Sequence, residues 1–178
     1  MKIKFTNFPK EFKILKKELN YKFNKIGNQG QYVLGKELKQ FEKNIQKFLK
    51  VKHVLGVGNW TEGTIMVLKA MGYKKGDEII TVSNSFIATC GAIAYLGLIP
   101  KLVDISEDLN INTDLIDKKI TKKTKAIITV DLKGQPVDYD EIKKKLKKFK
   151  IPIISDSAES FGAEYKNKKV GSQFLIHS

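Results

Sequence analysis

Arginine is missing from the chain: all 33 basic residues are lysines, set against 19 acidic ones for a formal net charge of +14. A surface built to grip nucleic acid would draw on arginine, whose planar fork makes bidentate phosphate and base contacts that lysine cannot. The lysines here are spread along the whole sequence, so the charge reads as a compositional habit of the source. No nucleic-acid partner is expected, and a Lys-rich anion-binding domain ranks last among the readings. Cysteine is nearly absent as well. Cys90 stands alone, which excludes an internal disulfide framework, fits a reducing compartment and reads as a small buried thiol. No stretch approaches the ~20 apolar residues of a membrane helix. The opening MKIKFTNFPKEFK interleaves charge with apolar groups and contains no continuous apolar core of a secretory signal. The expectation is a cytoplasmic chain with no membrane partner and no metal.

What is present is ordinary for a folded protein. Hydrophobic residues make up 42% and charged residues 29% of 178, enough for one domain with its own core. From Lys52 onward, short β-rich runs alternate with amphipathic stretches, the pattern of βαβ units. Strands are expected at 51–57, Glu78–Val82, Ile99–Val103, 126–130 and 151–155, and helices at 61–71, 86–96, 113–120 and 139–149. In the last of these, Ile142, Leu146 and Phe149 share one face, while lysines 143, 144, 145, 147 and 148 mostly take the other and read as a solvated outer surface. The first thirty residues differ: 5–21 shows no clean period and 27–35 is a Gly/Gln loop. Together they suggest an arm, residues 1–30, ahead of a helix at Lys36–Leu49 with Leu38, Phe41, Ile45 and Phe48 on its apolar stripe.

In a mostly parallel sheet, ligands gather at the carboxyl ends of strands, where loops meet helix N-termini. Three places qualify. In GVGNWTEGT, Thr61 is a natural N-cap and the free amides that follow suit a phosphate; N-capped helices after strands are common, and alone this turn says little. In SNSFIATCGAI, Phe86 stands beside Ser83, Asn84 and Ser85, where a ring stacks on a flat heterocycle or simply joins the core. In IPIISDSAESFGAEY, Asp156 ends an apolar strand where a carboxylate needs a partner. A protonated pyridine nitrogen is one such partner, and the turn through Ser157 and Ala158 is the other.

Taken in order, YVLGKELKQFEKN, VKHVLGVGNWTEGT, GDEIITVSNSFIATCGAI, IPKLVDI, LNINTDLIDKKITKKTKAII, GQPVDYDEI and IISDSAESFGAEYKNKKVGS resemble the DegT/DnrJ/StrS family of nucleotide-sugar aminotransferases across residues 31–172. The resemblance implies a three-layer α/β fold of the aspartate-aminotransferase type, with a mostly parallel sheet and helices on both faces. Residues 31–178 would then be an incomplete large domain that binds pyridoxal 5'-phosphate, without the family's smaller C-terminal domain. It assigns Trp60, Thr61 and Glu62 to the turn that holds the cofactor phosphate, and Phe86 to the pyridine ring face. Asp156 would hold the ring nitrogen protonated, and Glu159 would lie near the ring hydroxyl, where the family commonly has Gln. Partners implied are an amino donor, typically glutamate, and a nucleotide-linked keto sugar, acted on by a homodimer.

The chain also departs from the pattern. The Schiff-base lysine of the family follows a Ser-Phe-Ser strand beyond the position of Ser172; this sequence stops at Gln173-Phe174-Leu175-Ile176-His177-Ser178, inside an apolar run that reads as a strand start. No lysine present matches it by motif, so no catalytic residue is assigned and the chain as given is expected to be inactive. Trp60 stands where the family prefers Gly. Asp131 and Lys133 in VDLKGQP replace a His and an aromatic, with Lys133 read as a solvated charge. A non-catalytic paralogue that dimerises or binds a sugar nucleotide is the alternative reading.

Overall fold

The run Glu78–Val82, EIITV, has no polar alternation and is buried along almost its whole length, as expected of a strand covered on both faces. In the computed structural model, which describes residues 6–172, this strand is β1. It is the centre of a parallel sheet with β2 (Ile99–Val103), β3 (Thr124–Val130) and β4 (Ile153–Asp156). The order is β2-β1-β3-β4, in register from Ile79 opposite both Pro100 and Ala126 to Val130 opposite Asp156.

That order places the helices. The connection from β1 to β2 runs one way along the sheet, while those from β2 to β3 and from β3 to β4 run the other. Right-handed crossovers in opposite directions must lie on opposite faces. The side chains obey this rule. On one face, Leu68 of α3 (Trp60–Ala70) and Ile93 of α4 (Ala88–Tyr95) pack with Ile79, Ala126 and Ile128. On the other, Ile116 of α5 (Thr113–Lys119) and Ile142 and Leu146 of α6 (Tyr139–Leu146) pack with Ile80, Val82 and Ile127. The expected three-layer architecture is therefore present. Lysines 143, 144, 147 and 148 of the α6 region are exposed as expected, and Lys145 is half-buried with Asp114 as its partner.

The chain divides into two units, residues 1–45 and 46–178. The first is more helical than its sequence suggested. Instead of an aperiodic arm there is α1, Phe8–Gln29, capped by the Asn7 side chain and carrying a proline in its first turn. Phe8, Phe12, Leu15, Leu19, Phe23 and Ile26 do recur at helical spacing. Ile14 and Tyr21 fall off that stripe and blur the period. The helix stops at Gly30, whose φ of 62° is the left-handed cap conformation, so the Gly/Gln loop begins three residues later than expected. Lys22 and Lys25 of α1 both reach Glu37, in the first turn of α2 (Lys36–Leu49), at 3.0 Å.

Other expectations shift at their edges. Residues 51–57 are not a strand: no neighbouring strand pairs with them among the described residues, and Leu55 and Val57 are exposed. Thr61 is not the N-cap of α3. Asn59, in extended conformation, takes that position, its Oδ1 accepting from Glu62 N at 2.9 Å, in keeping with the stronger capping preference of asparagine. Cys90 is half-buried, and its surroundings push the thiol up by desolvation. Residues 164–169 add a small antiparallel hairpin, β5 (Glu164–Tyr165) with β6 (Lys168–Lys169), that the sequence reading left undivided. The apolar run at 173–178 lies outside the described residues. No helix among them is long and apolar enough to cross a membrane.

Candidate active site

Between β1 and β3 the chain's progress along the sheet reverses direction, and such a reversal leaves a crevice outside the carboxyl ends of the two strands. A cavity of about 280 Å³ opens there. Among the described residues four segments line it: Asn59, Trp60 and Thr61 at the start of α3, Ser85, Phe86, Ala88 and Thr89 after β1, Val130 and Leu132 at the end of β3, and Asp156, Ala158 and Glu159 at and after the end of β4. Five of the six residues singled out from the sequence thus meet around one space. Glu62 does not line it, because its amide is turned to the Asn59 cap.

The start of α3 offers the cavity a positive end. Asn59 satisfies the Glu62 amide through its side chain and the Gly63 amide through its carbonyl. The amides of Trp60 and Thr61, in the first turn, have no intrahelical acceptor, and the helix dipole adds to their pull on an anion. Across the cavity, Phe86 is 73% exposed. An aromatic ring so open to water contributes little to the core, and a flat ligand laid against it recovers the lost burial. Behind it, Ser85 Oγ and Thr89 Oγ1 bond at 2.9 Å across the first turn of α4, which has no side-chain cap of its own.

Asp156 is only 7% exposed. It accepts one hydrogen bond, from Ala158 N at 3.2 Å, so the turn-capping role weighed from sequence is real, but no cation pairs with it among the described residues. Burial, opposed in part by that hydrogen bond and reinforced by Asp131 and Glu159, raises its carboxyl from the ordinary 3.8 to about 6. A carboxylate held so reluctantly in a cavity wall favours a ligand that brings a positive charge or a transferable proton. Glu159 is exposed and accepts from the Lys133 amide at 2.9 Å. Lys133 is exposed and is not among the residues lining the cavity, in line with the solvated charge expected of it.

Sequence reasoning underrated Asp131. It is fully buried and gathers five donors among the described residues: Val137 N (3.0 Å), Tyr139 OH (2.5 Å), Ser157 Oγ (2.7 Å), Ser155 Oγ (3.2 Å) and Ser160 Oγ (3.5 Å). Burial and the bond to Asp131 push the Tyr139 phenol well above its usual range. The available signal was the cluster of three serines in SDSAES with a polar residue at the end of the neighbouring strand.

A parallel sheet between two helical layers carries, around one cavity, a helix start with free amides, an open aromatic and a buried carboxylate without a cationic partner among the described residues. The chain belongs to the DegT/DnrJ/EryC1/StrS aminotransferase family, whose model matches residues 13–177. It is 36% identical over 168 residues to the UDP-2-acetamido-2-deoxy-3-oxo-D-glucuronate aminotransferase of Pseudomonas aeruginosa, covering 94% of this chain and 47% of that protein. Among solved structures, S. venezuelae DesV superposes with a TM-score of 0.91 at 28% identity, over 96% of this chain and 46% of its own. Spr1654 from Streptococcus pneumoniae, in its PLP form, gives 0.76 at 29% identity over 79% of this chain and 40% of its own. The chain spans about half the length of the relatives it matches. Pyridoxal phosphate is the cofactor of complete enzymes of this family, and the cavity residues fit its three recognisable parts: anion, flat ring and ring nitrogen.

Proposed function

We propose that the complete protein is a pyridoxal-phosphate-dependent aminotransferase that moves an amino group, from glutamate, to a keto sugar carried on a nucleotide. The observation that supports it is the meeting of Asp156, Phe86 and the first turn of α3 around a single cavity. When bound, pyridoxal phosphate supplies an electron-poor ring that takes up the electron pair left as an amino acid's α-proton departs. The amides of Trp60 and Thr61 hold the phosphate. Phe86 covers a ring face and excludes water from it. Asp156 keeps a proton on the ring nitrogen, and Glu159, tied to the Lys133 amide, orients the edge that bears the ring hydroxyl. No lysine is among the described residues lining the cavity; the covalent and proton-shuttling lysine is assigned to the rest of the complete protein. The keto-sugar and donor sites, and the dimer that completes them, are assigned to that larger protein.

Trp60 is the chain's sole tryptophan and lines the cavity, so its fluorescence reports occupancy. Pyridoxine 5'-phosphate is the suitable probe, since it lacks the aldehyde that would condense with 33 lysines indiscriminately. Saturable quenching of Trp60 at one equivalent, abolished by inorganic phosphate only at large excess, is the expected result. Linear, non-saturating quenching would sink the reading.

A further inference from the structure

We propose that Asp131 is a positioning residue for this cavity: it fastens the backbone around Asp156 through the serines on either side, and its charge makes the cavity select a cationic ring over a neutral one. The proposal rests on the pyridoxal phosphate reading above and deepens it.

Asp131 does not line the cavity, so it acts there through the backbone of Asp156 and through its charge. The geometry supplies three links. Asp131 N donates to Asp156 O at 2.9 Å, and the Asp131 carboxylate accepts from Ser155 Oγ, immediately before Asp156, and from Ser157 Oγ, immediately after it. The two hydroxyls also bond each other at 2.9 Å. Side chains alternate along a strand, so holding Ser155 back on one side of β4 leaves Asp156 aimed at the other. Among the described residues the Asp156 carboxylate is held only by the Ala158 amide, too little to fix it without the anchored backbone behind it.

Charge is the second part of the argument. Asp131 is entirely buried, and no lysine pairs with it among the described residues. A neutral asparagine would occupy the same space, and the surrounding hydroxyls can turn to accept as well as donate. What aspartate adds is a negative charge that five donors stabilise but do not cancel. Placed behind Asp156, that charge opposes the ionisation of Asp156 in the free protein, and a cation in the cavity relieves both carboxylates at once. A ring with a protonated nitrogen does this; a benzene ring of the same shape does not.

The test compares two phosphate esters by Trp60 quenching and equilibrium dialysis: pyridoxine 5'-phosphate, and its isostere with a carbon in place of the ring nitrogen. The wild-type chain is expected to prefer the pyridine by more than about tenfold. Asp131→Asn should cut that preference by about tenfold, the effect of removing one charge at the effective dielectric of a partly buried site, while the isostere binds within about twofold of its wild-type affinity. Ser157→Ala, which removes the 2.7 Å link but leaves the charge, should weaken the pyridine ester by a smaller factor with the isostere again unmoved. Should Asp131→Asn fail to fold, Ser157→Ala and Ser155→Ala decide the matter by the same ratio. Equal loss for both esters would reduce Asp131 to a scaffold residue and overturn the proposal, as would an unchanged preference; in both cases the cofactor reading survives. If the wild-type chain binds neither ester, both fall together.

Discussion

Replacing Asp156 with asparagine is expected to stabilise the free chain at neutral pH while weakening its hold on a cationic ring. Burial lifts this carboxyl from 3.8 to about 6, so the folded chain binds its proton about a hundredfold more tightly than the unfolded chain, a ratio equivalent to roughly 3 kcal/mol. Between about pH 4 and pH 6 the folded state holds the extra proton. The contribution of this carboxyl to stability is therefore greatest at acid pH, falls as pH rises through that window, and is flat above it. Asparagine has the same shape, keeps an oxygen for the Ala158 amide and never ionises. The two proteins should be similar in stability near pH 4, and Asp156→Asn should be more stable by about 1–3 kcal/mol near pH 7.5, the range allowing for water admitted around the wild-type carboxylate. Urea unfolding followed by circular dichroism, at four pH values from about 4 to 7.5, measures this directly. Titrating groups remote from Asp156 are shared and cancel in the difference. The same substitution should weaken pyridoxine 5'-phosphate at least about tenfold, since a charge-assisted bond contributes ~1.5–3 kcal/mol. A variant less stable than wild type near pH 7.5, or a difference that does not change with pH, would refute the electrostatic account of this site.

Other substitutions separate stability from binding. Phe86→Ala should leave unfolding midpoints almost unchanged, because the ring is already 73% exposed, yet lower affinity for the phosphate ester by about threefold to tenfold, the size of a stacking contact; a large loss of stability would show the ring to be structural. Asn59→Ala removes the Oδ1 acceptor of the Glu62 amide and should cost about 1 kcal/mol in urea unfolding, with weaker phosphate binding because the first turn of α3 frays. Tyr139→Phe takes away the shortest donor to the buried Asp131 and should cost about 2–4 kcal/mol, as expected when a buried carboxylate loses a partner; a neutral outcome would mean that the serines alone satisfy it. Ile128→Ala, at a fully buried position of β3 between the sheet and α3 and α4, should cost about 2–5 kcal/mol, measured by the same unfolding assay.

The sequence by itself determined the alternation of strand and helix, since apolar runs such as EIITV and AIITV cannot be solvated on either face, and the stripe of α6 leaves most of its lysines outside. It also nominated the cavity residues, because a carboxylate at the end of IISD and an aromatic at the head of an apolar helix are chemically conspicuous wherever they fall. What sequence could not decide was anything that depends on a neighbour far along the chain. Residues 51–57 have the composition of a strand, but a strand exists only if another offers its backbone, and none does among the described residues. Thr61 and Asn59 are both good caps, and the choice went to the one whose backbone is extended. Asp131 looked like a departure at a strand end, yet register puts Val130 opposite Asp156, and only that pairing brings its carboxylate to Ser155, Ser157 and Tyr139. Local propensity acts over a few residues; the meeting of α3, β1, β3 and β4 around one cavity is a property of strand order, which the packing of both faces of the sheet fixes together.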